Sequence, residues 1–171
     1  MSSLILSFST NFRKNGNQTG VVFLFCFLEV SSTMLEWIRK FDLRKTGIVN
    51  ISAGLVNILV HIFVILSIVP YQWVNGGRTE SLEAACQISV SSIVVAIVGI
   101  LITLIASRII PIRLNKFWGI VLTVILVVLL PLSLFGVVQQ LLGTMFEKCV
   151  MSIVAAVGFC TAVRIAIEKR W

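Results

Sequence analysis

The chain is poor in the residues that soluble enzymes work with. Its 171 residues include 7 Asp and Glu, 1 His, 1 Tyr and 3 Pro. None of the carboxylates falls inside a long apolar run, which argues against a paired general acid and base or a proton relay at membrane depth. A single histidine needs other ligands to hold a metal. The 4 Cys, at positions 26, 86, 149 and 160, show neither a CxxC motif nor zinc-ligand spacing. The expectation is a protein without enzymatic activity, cofactor or metal.

What the chain has in abundance is apolar residues, 58% against 12% charged, a balance far from that of a soluble domain. Crossing roughly 30 Å of hydrocarbon takes about 20 helical residues at 1.5 Å each. Three runs meet that length: residues 47–69, stopped by Pro70; residues 88–107; and residues 117–138, which contain Pro131. A fourth, 150–167, reaches it only if Arg164 lays its stem along the helix and brings its guanidinium to the interface. The fold class expected is an all-α integral membrane protein, a four-transmembrane-helix bundle with both termini cytoplasmic. Its domains are an amino-terminal segment 1–46, a membrane domain 47–167 and a tail 168–171.

Orientation follows from Lys and Arg, which are retained on the cytoplasmic side. Arg39, Lys40, Arg44 and Lys45 precede the first run; Arg108, Arg113 and Lys116 separate the second from the third; Arg164, Lys169 and Arg170 close the fourth. These ten cytoplasmic anchors stand against two basic residues, Arg78 and Lys148, in the other loops. The net charge of +7 is thus spread beside apolar runs and not gathered into a stripe. That pattern fits anionic lipid headgroups and not nucleic acid.

The amino-terminal segment fits this plan poorly. Residues 20–30 are apolar, but 11 residues are too few to cross. Met34 opens MLEWIRKFDLRKTG, a short basic lead into the first run. It reads as an alternative start, which makes residues 1–33 an upstream extension or a dispensable stretch.

Polar residues within the runs predict which faces meet, because helices in lipid associate through small residues and interhelical hydrogen bonds. Asn50, Gly54, Asn57 and His61 fall at steps of four, three and four, on one face of a helix. Ser92, Ala96, Gly99, Thr103 and Ser107 repeat that spacing in the second run, and the fourth is rich in Ser, Ala, Gly and Thr. Asn50, Asn57 and His61 are therefore the candidate intramembrane polar site. Interhelical glue is the first reading, and a proton- or ligand-sensing role the second.

The topology places two further features outside the cell. Cys86 and Cys149 precede the second and fourth runs and are candidates for an external disulfide, with free thiols as the alternative. The loop PYQWVNGGRTESLEAAC holds a tight turn at Asn75 followed by Arg78, Glu80 and Glu83, the candidate external recognition loop, and predicts a helix start capped by Thr79 or Ser81.

The short loops and basic flanks resemble those of small bacterial inner-membrane proteins, which implies the bacterial cytoplasmic membrane as location. Claudin-like proteins, small multidrug exporters and quinone-linked disulfide enzymes are excluded by their missing loop cysteine pair, membrane-embedded Glu and CxxC. The function expected is a partner-binding accessory, immunity or regulatory protein, acting with a membrane-protein partner or as a homo-oligomer. The alternative is a small oligomeric transporter or channel with a polar path around Asn57 and His61.

Overall fold

The computed structural model describes residues 36–170. The chain divides into two units, Met1–Lys40 and Phe41–Trp171; of the first, residues 36–39 form one helical turn. The apolar stretch 20–30 and the alternative start at Met34 lie outside the described residues. The second unit is helical, with no strand among the described residues. Its main helices are α1 (Leu43–Ile65), α2 (Leu82–Ala106), α3 (Lys116–Leu142) and α4 (Ser152–Ala166). A π turn, Glu147–Met151, runs directly into α4. Counting that turn, four helices among the described residues are long and apolar enough to cross a membrane.

The helix ends differ from the apolar runs for local reasons. α1 starts before its run because Asp42 accepts the Lys45 N–H at 2.8 Å, which caps the helix. α2 starts at Leu82 because Ser81 accepts the Ala84 N–H at 3.2 Å, with Glu83 in the first turn, as the capping residues predict. At its other end α1 stops at Ile65, short of Val69. Ser67 turns to φ 57°, and the Ile68 and Val69 N–H groups both return to the Phe63 carbonyl at 2.9 and 3.1 Å. α2 closes in the same way, with Arg108 at φ 57° and Ile109 and Ile110 donating to Leu104 at 3.2 Å each. These are left-handed C-caps built on residues other than glycine.

The fourth apolar run is longer than its composition implies. The π turn carries the helix back to Glu147, giving 20 residues in all. α3 continues unbroken through Pro131 to Leu142, so Gln139 and Gln140 belong to a helix and not to a loop.

The helices form an open row in the order α2, α1, α4, α3. α1 packs on α2 and α4, α4 packs on α3, and α2 and α3 hardly touch although they are consecutive in the chain. Small residues allow the close approaches. A Cβ on Gly47 would lie 2.3 Å from Ser107 Oγ, and one on Gly54 would lie 3.1 Å from Ile100. Apolar contacts gather at the two ends of the helices. Val60, Val64, Val74, Ala85 and Met151 cluster near the α1–α2 loop, and Ala106, Leu126, Ile165 and Ala166 near the α2–α3 connection.

Candidate functional site

Asn50, Asn57 and His61 share a face of α1 but do different things. Asn50 is a hub. Its Nδ2 donates to the Gly158 carbonyl at 3.0 Å and to Thr161 Oγ1 at 2.7 Å, and its Oδ1 accepts from Thr103 Oγ1 at 3.0 Å. One amide thus ties α1 to α4 and α2. Among apolar helices these groups have few other partners, so their mutual satisfaction favours this packing over others.

His61 lies about one turn below the end of α1, 8% exposed, with Nδ1 3.2 Å from Ser89 Oγ. A histidine beside a serine invites comparison with an activated nucleophile. Ser89 is fully buried, however, so its hydroxyl cannot meet a substrate, and the pair joins α1 to α2.

Asn57 and His61 face a groove of about 730 Å³, a size suited to a small-molecule ligand. Its walls come from the two helices that fail to meet, with Gln87, Ser91 and Ser92 on α2 and Gln139 and Gln140 on α3, while α1 and the start of α4 form its floor. It extends along α2 as far as Ala96, about 21 Å from the helix start at 1.5 Å per residue. The small-residue stripe of the second run is therefore divided. Thr103 and Ser107 are buried in packing, Ser92 and Ala96 line the groove, and a Cβ on Gly99 would meet nothing within 4 Å.

Among the described residues, Glu147 is the only charged one lining the groove, just 4% exposed. Both its oxygens accept the Gly76 N–H, at 3.1 and 3.0 Å, and Oε2 also accepts the Thr144 N–H at 2.8 Å. Gly76 presents that N–H from a left-handed turn in which Asn75, Gly76 and Gly77 have φ of 57°, 70° and 68°. Thr144 Oγ1 donates to the Trp73 carbonyl, and the Trp73 and Phe146 rings stack at 6.0 Å. The two loops at this end are thus fastened together. Glu147 is thus a carboxylate buried within the protein at the loop end of the fourth apolar helix.

Of the candidate recognition loop, Asn75 lines the groove and sits in that fastening, whereas Arg78, Glu80 and Glu83 do not line it. Arg78, Glu80 and Glu83 are exposed, the last in the first turn of α2. Cys86 and Cys149 are free thiols.

The basic residues of the second unit, Arg78 and Lys148 apart, gather at the opposite end of the helices. Arg164 is 6% exposed. Instead of reaching out along the interface, its Nε donates to the Phe41 carbonyl and its NH1 to Glu168, both at 2.9 Å. Arg108 donates to the Lys169 carbonyl at 3.2 Å, and Arg170 reaches Thr123 Oγ1 at 3.3 Å and the Ile165 carbonyl. Burial lowers the Arg170 pKa from its ordinary value; Glu168 opposes this, and Arg108 and Arg164 add to it. Arg44 and Lys45 open α1, while Arg113 and Lys116 lead into α3. Arg39 and Lys40 belong to the other unit.

Reading the sequence missed Glu147, Gln87, Gln139 and Gln140 as one site. The paired amides closing an apolar run were the only local signal. Comparison with known proteins finds no family model, no curated protein and no solved structure that matches this chain.

Proposed function

We propose that this chain is a multi-pass protein of the cell membrane that binds a small polar solute in the groove between α2 and α3, without chemical conversion, as a carrier or ligand-binding component. The groove is the observation that carries this reading. Amides, hydroxyls and an imidazole at this depth are costly in lipid, which supplies them no hydrogen bonds. A hydrated groove that receives a polar ligand offsets that cost. The gap between α2 and α3 also favours the polar-path reading over the accessory-subunit reading, since a second copy seated there would close a path along Asn57 and His61.

The basic end of the helices supports an orientation with both termini and the α2–α3 connection in the cytoplasm, and the groove opening to the other side. The short loops and basic flanks favour a bacterial plasma membrane. Cys149, which is exposed, should then react with an impermeant maleimide added to intact cells. A reporter fused after Arg113 should read as cytoplasmic, and an external reading would reverse the topology.

The test of binding is a solute panel of amines, amides, polyols and amino acids, scored by thermal shift in lipid nanodiscs. Wild type is compared with Ser92→Phe, which fills the groove. At least one class should stabilise the wild type and not the variant; equal responses throughout would remove the groove as a binding site.

The accessory-subunit reading keeps one support. α3 buries only Gly119 and Leu126 along its 27 residues, leaving a long apolar surface for a partner helix. A stoichiometric membrane protein copurifying in mild detergent, and lost on substituting that surface, would establish it.

A further inference from the structure

We infer that the groove takes a small primary ammonium compound that also carries a hydroxyl or carbonyl group, and that the Glu147 carboxylate supplies its charge selectivity. This rests on the reading of the groove as a solute site.

Charge is the first argument. Among the described residues Glu147 is the only charged one on the lining; Arg78 and Lys148 do not line it, although the Arg78 side chain lies beside Gly76. Among the described residues the one ion pair is Arg164–Glu168, at the far end of the helices. The groups that bind Glu147 are backbone N–H groups of Gly76 and Thr144. They satisfy its oxygens without cancelling its charge. A carboxylate with no cation on the same lining gives the groove a negative potential, which favours cations and disfavours anions.

The type of cation follows from the rest of the wall. A bare metal ion needs several oxygen ligands directly around it, but both oxygens of Glu147 are already engaged by backbone donors. Quaternary ammonium ions are recognised by aromatic cages, and among the described residues no Phe, Tyr or Trp lines the groove. The lining offers side-chain amides instead, suited to an ammonium group that donates hydrogen bonds. Gln87 and Gln139 present theirs from exposed positions on the two walls, and each side-chain amide carries both a donor and an acceptor, so a ligand that donates through N–H and accepts through a hydroxyl or carbonyl can pair with both ends.

The experiment measures binding to the full-length protein in nanodiscs by calorimetry. Two primary ammonium probes, ethanolamine and glucosamine, are set against neutral counterparts, ethylene glycol and glucose, at a pH where the amines are charged. At least one amine should bind about tenfold more tightly than its neutral counterpart. Glu147→Gln should abolish that preference. Because it also weakens the loop fastening, Gln87→Lys is the second variant; it places a positive charge on the wall from an exposed position of α2 and should weaken amine binding by a similar factor while the fold persists. Equal binding of amine and neutral probe, both lost in Ser92→Phe, would overturn the cation inference and leave the groove reading standing. Saturable binding of neither amine, or amine binding indifferent to Ser92→Phe, would overturn the inference; if the solute panel also shows no effect of Ser92→Phe, the groove reading falls with it.

Discussion

Both carboxylate oxygens of Glu147 accept the backbone N–H of Gly76, at 3.1 and 3.0 Å, across 71 positions of sequence. This contact joins the α1–α2 loop to the head of α4. Glu147→Ala would leave the Gly76 and Thr144 N–H groups unpaired in a buried place, at a cost of about 1–3 kcal/mol. The loss is expected in the unfolding free energy measured in mixed micelles, together with faster proteolysis near Gly76.

The approach of α1 to α2 at Gly47 leaves no room for a methyl group. A Cβ there would lie 2.3 Å from Ser107 Oγ and 2.4 Å from Ser107 Cβ. Gly47→Ala should therefore destabilise the protein by about 1–3 kcal/mol, the usual cost of overpacking. Adding Ser107→Gly should recover part of the loss, giving a favourable coupling in a double-mutant cycle. Gly136→Ala is the control, since a Cβ at Gly136 meets nothing within 4 Å.

Asn50 makes hydrogen bonds to Gly158, Thr161 and Thr103. Interhelical hydrogen bonds in membranes average about 0.6 kcal/mol each, so Asn50→Ala should cost about 2 kcal/mol. The Asn57→Ala variant, which removes a groove residue, should cost less stability while impairing solute binding. Equilibrium unfolding of the two variants distinguishes these roles.

Ser67 closes α1 at φ 57°, a conformation that costs an ordinary L-residue about 1–2 kcal/mol and glycine almost nothing. Ser67→Gly should raise stability by up to about 1 kcal/mol, after allowance for the greater freedom of glycine in the unfolded chain. A thermal unfolding midpoint unchanged or lowered in this variant would show that the cap is held without strain.

Helix number and the caps that use side chains were legible in the sequence, because hydropathy and capping chemistry act over a few neighbouring residues. Ser81 is the clearest case. The ends of α1 and α2 were not legible, because Ser67 and Arg108 carry none of the glycine or asparagine signal that marks a left-handed cap. Asn50, Asn57 and His61 were rightly placed on one face, but a helix face is seen by different neighbours at different depths. It meets α2 and α4 at Asn50, and the groove at Asn57 and His61. Glu147 stayed hidden for another reason: its burial depends on Gly76 and Thr144, and nothing in the residues around position 147 announces that a distant loop supplies a donor. Nor does the short connection between α2 and α3 reveal that they stand at opposite ends of the row.

That row has a bearing on how the protein is assembled. Each half of the unit is a helix pair, α1 with α2 and α3 with α4, and two apolar clusters draw on both halves. The main joint between the halves is the seam of α1 on α4, secured by Asn50. A break in the α2–α3 connection would leave both pairs whole, so that two fragments made separately still carry all that is needed to find each other.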